Sequence, residues 1–298
     1  MLKELSDLFE LARKHRKKKL VLAAAHEPNA LEAVIHASNS GIVDVILIGD
    51  AIKIKDISET RGYDITGFEL MDEPDNDKAA NLAVKMVSEK KAQIVMKGQL
   101  STSSLLKAVL NKEWGLRSGE LLSHLALFEL PTYHKLLALT DAAMNIAPDL
   151  KAKVSIIKNA VGYLRKLEVE NPKVAVLSAV ETVNPDIRST LEAAALSKMA
   201  DRGQIPHCMI DGPFALDNAI SEKSAKLKNI HSPVAGDADL IVGDDLEASN
   251  ALYKAFIYFA KAKCAAVIVG AKAPVVLTSR ADSDETKLNS IALAAAIQ

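Results

Sequence analysis

A serine and an arginine, Ser279 and Arg280, follow an apolar run near the end of the 298-residue chain. The run comes after an apolar strand at residues 265–269 and a Gly/Pro turn, and an acidic helix pattern follows it. In an open α/β sheet, anions bind beyond the carboxyl ends of strands, where free helix amides favour negative charge. A guanidinium adds a fork that holds two phosphate oxygens. The pair predicts an anion site, and a plain solvated loop is the alternative.

A second set of polar residues follows a predicted strand at residues 94–96. Lys97 directly follows that strand, Ser101 and Thr102 lie at the turn into a helix, and Lys107 lies within the helix. Hydroxyls and backbone amides at such a turn suit a phosphate, and the lysines add positive charge. Ser101 or Thr102 could equally be an N-cap with no ligand at all. The residues alone leave both readings open.

Two further loops carry small residues at predicted strand ends. Asp211 and Gly212 follow a buried strand at residues 208–210, although Asp-Gly is also a common turn dipeptide. Ser232 and Gly236 lie in a loop before the strand at residues 240–242. Gly236 would let the backbone approach a ligand closely, or would merely permit a turn.

The sequence lacks several signatures of other chemistry. Asp244–Asp245 and residues 282–285 could hold Mg²⁺, yet acids in the first turn of a helix are explained by its dipole. None of the seven histidines makes a metal-ligand pattern, so we expect no metal. The chain contains no GxxxxGK[ST] loop, no GxGxxG after a strand and no GxSxG elbow. Cys208 and Cys264 have no ligand spacing and are typical of thiols in a reducing compartment.

Composition narrows the class of protein. With 37 basic and 38 acidic residues, the net charge of -1 gives no overall attraction to nucleic acid or anionic membrane. The chain is 49% hydrophobic, which is enough to bury a large core, and only 4% aromatic, which is too few rings for base stacking. No apolar run approaches the ~18 residues of a membrane span. We therefore expect a cytoplasmic protein without nucleic-acid or membrane partners.

Short apolar runs alternate with longer amphipathic segments, and this alternation predicts an α/β fold with largely parallel sheets. Two predicted strands follow each other without a helix around residues 121–139, which indicates a crossing between two domains. The predicted strands lie at residues 20–25, 43–48, 93–96, 124–128, 136–139, 174–177, 208–210, 240–242 and 266–269. The clearest helix patterns lie at residues 75–90, 101–111, 149–167, 187–202 and 248–263.

Taken in this order, the motifs resemble the phosphate acetyltransferase and phosphate butyryltransferase family. The resemblance covers nearly the whole chain, and residues 139–148, 194–203 and 271–280 resemble the butyryl branch. It implies a two-domain fold like isocitrate and isopropylmalate dehydrogenases, with mostly parallel sheets, helices on both faces and an active-site cleft between the domains. The motifs that carry it lie at residues 97–106, 172–178, 211–213, 232–239 and 274–280.

The resemblance also implies a domain division and an assembly. Residues 1–125 with 268–298 would form the first domain and residues 126–267 the second. A homodimer or a higher homo-oligomer is implied as the usual assembly. The Asp211 and Ser232 loops would face the cleft from the second domain.

The implied reaction is reversible transfer of a short acyl group between coenzyme A and phosphate, by direct thiol attack in a ternary complex. Acyl-CoA, phosphate and acyl phosphate would be the substrates, and no further cofactor is implied. Arg280 would clamp the phosphate, and Ser279 would donate to the tetrahedral intermediate. Ser101 and Thr102 would bind the acyl phosphate.

One position departs from the acetyl-specific pattern. Those relatives carry an aspartate, proposed as the thiol base, where this chain has Thr286. Glu285 is adjacent and is the candidate base, although successive helical residues point about 100° apart. Three alternatives remain: an acetyl- or branched-chain-specific enzyme, an NAD-dependent metal-assisted dehydrogenase of the same fold, and a silent acyl-CoA-binding homologue.

Overall fold

The computed structural model describes residues 2–279 and 282–297. These residues form two compact units. The first unit comprises residues 6–120, 265–279 and 282–297, and the second comprises residues 2–5 and 121–264. The predicted domain boundaries at residues 125 and 267 lie five and three residues after the divisions at residues 120 and 264.

Strands and helices alternate along most of the chain. In the described residues the strands are β1 (Lys18–Ala23), β2 (Val43–Gly49), β3 (Glu69–Asp72), β4 (Ile94–Lys97), β5 (Ser123–Glu129), β6 (Leu137–Thr140), β7 (Lys173–Leu177), β8 (Met209–Phe214), β9 (Leu240–Val242), β10 (Lys263–Val269) and β11 (Val275–Val276). The helices are α1 (Asp7–Lys14), α2 (Pro28–Asn39), α3 (Ala51–Arg61), α4 (Asn76–Ser88), α5 (Thr102–Val109), α6 (Leu150–Lys166), α7 (Arg188–Asp201), α8 (Leu216–Ile220), α9 (Glu222–Leu227), α10 (Leu246–Tyr258) and α11 (Asp284–Ala296).

The strands of the first unit lie in the order β3-β2-β1-β4-β11-β10. All neighbouring pairs are parallel except β10 with β11, which follow each other through a short turn. Strands buried on both faces are continuous runs of apolar residues. This is seen in β1, where residues 20–23 are fully buried.

The strands of the second unit lie in the order β5-β6-β9-β7-β8. The pair β5 and β6 is antiparallel, and the remaining pairs are parallel. The two consecutive strands predicted at residues 121–139 are therefore a hairpin at one side of this sheet. The predicted α/β class with mostly parallel strands is confirmed.

The final helix is held inside the first unit. Every residue of α11 from Asn289 to Ala296 is buried, and the helix packs against α1, α2 and β11. The Ser290 hydroxyl accepts a hydrogen bond from the Ala266 N–H at 2.9 Å and donates to the Thr286 carbonyl at 2.7 Å. These contacts fix the start of α11, and with it the segment that follows β11.

Some predicted elements were wrong. The helix predicted at residues 248–263 ends at Tyr258, because β10 begins at Lys263 and needs an intervening turn in which Lys261 has a φ of 54°. The strand β3 was not among the predicted strands, and it is short and only partly buried. None of the helices in the described ranges combines the length and apolarity that a membrane crossing requires.

Candidate functional site

Lys97 and Ser279 leave the sheet of the first unit at the same edge. β11 runs parallel to β4, with Val276 opposite Met96. Lys97 is the last residue of β4, and Ser279 comes shortly after β11. Neighbouring strands lie about 4.8 Å apart, so the two predicted anion-binding loops lie side by side at the carboxyl edge of this sheet.

The Lys97 side chain is directed onto its own loop. It is only 7% exposed, and its Nζ lies 3.3 Å from the Gly98 carbonyl oxygen and 3.4 Å from that of Leu100. The ammonium therefore stabilises the turn and places a positive charge at the sheet edge. Its role in binding an acyl phosphate stays a prediction.

Gly98 allows this turn to pack against the end of β1. A Cβ at Gly98 would lie 2.3 Å from the Ala24 carbonyl oxygen. The N–H groups of Gly98 and Gln99 donate to the carbonyls of Ala23 and Ala24, each at 2.8 Å. Only glycine fits such a close approach. Gly98 was not a predicted site residue, although a glycine directly after a strand-end lysine was a signal for it.

Ser101 is the N-cap of α5. Its hydroxyl accepts the Ser104 N–H at 3.0 Å and lies 2.8 Å from the Ser103 hydroxyl. Ser101 therefore caps the helix, which was one of the two predicted roles. Phosphate binding by Ser101 or Thr102 remains a prediction. Thr102 is exposed at the first position of the helix.

The structure does not bring Lys107 to this turn. It lies in the last turn of α5, five residues after Thr102 and therefore about 7.5 Å further along the helix axis. A cation at that end is favoured by the helix carbonyls. A role of Lys107 in substrate binding stays a prediction.

Ser279 lies in a turn that its neighbour Asp282 closes. The Ser279 N–H donates to Oδ2 of Asp282 at 2.7 Å, and the Asp282 N–H donates to the Ser279 carbonyl at 3.2 Å. Ser279 itself is exposed. Arg280, the predicted phosphate clamp, lies outside the described residues.

A buried lysine supports this turn from within α11. Lys287 is 2% exposed, and its Nζ donates to the Asp282 carbonyl at 2.5 Å. Sequence reasoning missed it. The signal was its spacing, because Lys287 precedes Ser290, Ile291 and Ala294 at the helical intervals of a buried face.

Thr286 and Glu285 lie in the first turn of α11. Ser283 is the N-cap, and its hydroxyl accepts the Thr286 N–H at 3.1 Å and lies 3.0 Å from the Thr286 hydroxyl. Thr286 is therefore engaged in the cap. Glu285 is exposed, so a carboxylate is accessible here, and its role as thiol base stays a prediction.

Sequence reasoning also missed His26, which follows β1 at this carboxyl edge. Its Nδ1 is buried and has no hydrogen-bond partner among the described residues. Burial, and then the nearby Lys53 ammonium, lower the pKa of His26, while Asp50 opposes the shift. His26 is therefore neutral at pH 7.

In the second unit, Asp211 and Gly212 do not form a loop after a strand. They lie inside β8, with Asp211 paired to Ala175. Oδ1 of Asp211 accepts the Gly212 N–H at 2.8 Å and the Ser197 hydroxyl at 3.4 Å. The predicted strand end was wrong because Gly212 and Pro213 were taken as a turn, whereas an edge strand accommodates them.

Gly212 is required by packing. A Cβ there would lie 2.7 Å from the Val176 carbonyl oxygen on β7. Close packing inside the sheet is therefore sufficient to explain why this position is a glycine, and no ligand is needed to explain it. The substrate-binding roles of Asp211 and Gly212 stay predictions.

The loop with Ser232 and Gly236 leads into the amino end of β9. The Ser232 hydroxyl accepts the Val234 N–H at 3.1 Å. Gly236 has a φ of 77°, and a Cβ there would lie 2.5 Å from the backbone of Glu222. Gly236 therefore permits a turn, which was one of its two predicted roles. Ligand binding by Ser232 or Gly236 remains a prediction.

The carboxylate of Asp237, directly after Gly236, has three side-chain partners, two of which are lysines. It lies 2.9 Å from Nζ of Lys135 and 2.8 Å from Nε2 of His134, and it also contacts Nζ of Lys173. Burial raises the pKa of Asp237, but hydrogen bonds from Lys173 and Lys135 outweigh it and hold the pKa well below its usual range. The network joins the amino ends of β6, β7 and β9.

Asp244 and Asp245, considered for Mg²⁺, both have protein partners. Asp245 is the N-cap of α10 and accepts the Ala248 N–H at 2.8 Å. Asp244 pairs with Lys153, which is 2% exposed and also lies 2.6 Å from Glu192. Within the described ranges, no group of three or more His, Cys, Asp or Glu side chains is arranged to hold a metal.

Neither cysteine forms a disulfide bond within the described residues. Burial raises the pKa of the Cys208 thiol to about 11, so it stays protonated near neutral pH. Cys264 is buried at the start of β10. Both thiols are thus at least partly buried.

Comparisons with known proteins agree along the whole chain. The family model described as phosphate acetyl/butaryl transferase matches residues 4–83 and 73–295. A phosphate butyryltransferase of Clostridium acetobutylicum is 47% identical over 297 residues, which is 100% of this chain and 99% of the relative. A phosphate acetyltransferase of Thermotoga maritima is 45% identical over 291 residues, which is 98% of each chain.

Comparisons with solved structures agree with these sequence relationships. A branched-chain phosphotransacylase from Enterococcus faecalis V583 has a TM-score of 0.85 and 34% identity, covering 93% of this chain and 97% of its own. A 4-hydroxythreonine-4-phosphate dehydrogenase from Klebsiella pneumoniae has a TM-score of 0.57 and 12% identity, covering 94% of this chain and 98% of its own. The second likeness concerns the fold alone, and it agrees with the expected dehydrogenase-like architecture.

Proposed function

Because the chain belongs to the phosphate acetyl/butyryl transferase family, we propose that it transfers a butyryl group reversibly between coenzyme A and orthophosphate. Butyryl-CoA and phosphate would give butyryl phosphate and free CoA, a step of butanoate metabolism. The observation that carries the proposal is the juxtaposition of the Lys97–Thr102 loop and Ser279 at one carboxyl edge of parallel strands. Coenzyme A takes part as a substrate, so no resident cofactor is needed.

The reaction needs an anion site, an oxyanion donor and a means of ionising the thiol. Arg280 would clamp the phosphate with its planar fork. The Ser279 hydroxyl is exposed at the same turn and would donate to the oxygen that becomes negative in the tetrahedral intermediate. Lys97, Ser101 and Thr102 would hold the acyl phosphate from the neighbouring loop.

The thiol of coenzyme A must lose its proton before it attacks. With a thiol pKa of ~8.5, ionisation near pH 7 costs about 2 kcal/mol. Glu285 is the proposed proton acceptor, since it is exposed in the first turn of α11. The sulfur then bonds to the acyl carbon, the bond from that carbon to the phosphate oxygen breaks, and phosphate leaves.

The identity of the acyl group separates two candidate activities. Relatives named for butyryl and acetyl transfer are 47% and 45% identical, and the similar solved structure is a branched-chain enzyme. One methylene in an apolar pocket changes discrimination by only about 1–3 kcal/mol. Acetyl or branched-chain transfer is therefore the second candidate.

An acyl-CoA panel tests these candidates. Phosphate-dependent release of CoA thiol is measured with acetyl-, butyryl-, isobutyryl- and isovaleryl-CoA. We expect the highest kcat/KM with butyryl-CoA and no release without phosphate. A higher kcat/KM with acetyl-CoA would reject the butyryl assignment, and no release with any of them would reject the activity.

We further propose that the enzyme works in the cytoplasm as a homodimer. The two free cysteines suit a reducing compartment. Its proposed substrates are small anions, and the net charge of -1 offers no attraction to nucleic acid or membrane.

A further inference from the structure

Helix α10 in the second unit has apolar residues around most of its circumference. Its thirteen residues include one acid, Glu247, and one base, Lys254. A surface helix normally shows polar side chains on the side away from the core, whereas a helix that is apolar all round is covered on all sides. The exposed side of α10 is therefore unusual.

The inner side of α10 is accounted for within the unit. Ser249 and Phe256 are buried. The Phe128 ring on β5 contacts Tyr253 and Phe256, with ring centroids 5.3 and 5.1 Å apart. These three helix residues lie at intervals of four and three, so they mark one face of the helix.

The opposite side of α10 faces solvent. At 100° per residue, Ala251 points 200° away from Ser249, and it lies on a stripe with Ala248, Ala255, Tyr258 and the adjoining Phe259. We call these five residues the α10 outer face. Tyr258 is 60% exposed and Phe259 is 90% exposed.

The apolar surface continues beside the start of the helix. Ile146 is 67% exposed, and its carbonyl accepts the Leu246 N–H at 2.9 Å. Large apolar residues therefore flank both ends of the α10 outer face, with small alanines between them.

We infer that the α10 outer face is the surface on which two copies of this chain pair, helix against helix and antiparallel. The inference rests on the homodimer proposed above and identifies its contact surface. Alanines at positions 248, 251 and 255 allow two helices to approach closely. A two-fold axis beside Ala251 sets Ala248 of each copy opposite Ala255 of the other, as a self-complementary contact requires.

The two charged residues of α10 favour a second copy of the chain as the partner. In the same antiparallel arrangement, Glu247 of each copy lies only about 3 Å along the helix axis from Lys254 of the other, within reach of its long side chain. Both residues are exposed, and no ion pair is found for either within residues 2–279 and 282–297. Phe259 and Tyr258 of one copy then cover Ile146 of the other at each end of the helix pair. A second copy thus matches the surface in both charge and shape.

Disulfide trapping in the full-length chain tests the geometry. Cysteine at Ala251, beside the axis, should give a disulfide-linked dimer under mild oxidation. Cysteine at Ala248 should not, because the two copies of this residue lie ~10 Å apart along the axis, beyond the ~7 Å limit for bridged Cα atoms. Wild type is the control for Cys208 and Cys264.

Self-association of the same chain tests the energetics, with the dissociation constant measured by sedimentation. Phe259→Glu and Ala251→Arg should each weaken pairing at least 100-fold. Leu227→Glu is the matched control, since Leu227 is 75% exposed on α9, and it should change nothing. Glu247→Lys should weaken pairing, and adding Lys254→Glu should restore it.

The outcomes separate the two proposals. A monomeric wild type would overturn both the homodimer and this surface. A dimer that survives Phe259→Glu, with no link from cysteine at Ala251, would overturn the α10 outer face alone. Linkage at Ala251 together with a monomeric Phe259→Glu variant would support it, and so would linkage alone if that variant failed to fold.

Discussion

The carboxylate of Asp282 accepts the backbone N–H of Ser279 at 2.7 Å, and the Asp282 N–H donates back to the Ser279 carbonyl at 3.2 Å. Each residue thus fixes the other in the turn between β11 and α11. A hydroxyl that stabilises a transition state must be held in place before the reaction. Asp282 is therefore a positioning residue for Ser279.

Replacing Asp282 by alanine should reduce kcat more than it changes the KM for phosphate. Loss of a charge-assisted bond of about 1.4 kcal/mol corresponds to a tenfold lower kcat. Steady-state kinetics with butyryl-CoA and varied phosphate measure both constants. Asp284→Ala, in the first turn of the same helix, is the control and should retain kcat. A normal kcat in Asp282→Ala would remove Asp282 from this role.

Glu285→Gln should lower turnover most at acidic pH if this carboxylate accepts the thiol proton. General bases contribute roughly 10²–10⁴-fold, and the deficit should shrink as pH approaches the thiol pKa of ~8.5, where solvent ionises the thiol. The pH–rate profile in the direction of CoA acylation measures this. An unchanged profile and turnover would show that Glu285 is not the base.

Gly98→Ala should destabilise the first unit. The new Cβ would lie 2.3 Å from the Ala24 carbonyl oxygen, a backbone atom that cannot yield without shifting β1. Overpacking of this kind costs roughly 1–3 kcal/mol. Thermal unfolding is compared with Gly67→Ala, where a Cβ meets nothing within 4 Å. Equal losses in the two variants would contradict the close packing of this turn.

Asp237→Asn should lower stability in a pH-dependent way. The pKa of Asp237 is depressed in the folded chain, because bonds from Lys173 and Lys135 outweigh the effect of burial. Its contribution is thus present above the unfolded pKa of ~3.9 and is lost as pH falls through the folded pKa.

The loss in Tm for Asp237→Asn should be roughly 2–4 °C, since about 1 kcal/mol is expected for a partly exposed network. It should be fully present at pH 5 and should narrow below about pH 4. Asp56→Asn, on the exposed side of α3, is the control. A loss that grows as the pH is lowered from 5 to 3 would contradict the assigned direction.

Much of the architecture follows from hydrophobic patterning. Runs such as Val43–Gly49 are apolar on both faces and predict buried parallel strands. The helix start at Ser101 follows from capping chemistry. Asp211 shows the limit, because Asp-Gly-Pro has the composition of a turn and only pairing with β7 keeps it in a strand.

The positions of Lys97 and Ser279 at or after strand ends could be predicted from the sequence, because an apolar run precedes each of them. Their proximity follows from the pairing of β11 with β4, which joins segments far apart in the chain. The burial of Lys287 and Lys153 was not predicted, because a buried lysine can be recognised only once its partners are known.

Identification of the product tests the proposed butyryl transfer. Butyryl-CoA, phosphate and the enzyme are followed by ³¹P NMR together with thiol release. We expect one equivalent of butyryl phosphate for each CoA released, and reversal to butyryl-CoA when CoA is added in excess. Release of CoA with butyrate and no acyl phosphate, or no reaction at all, would contradict it.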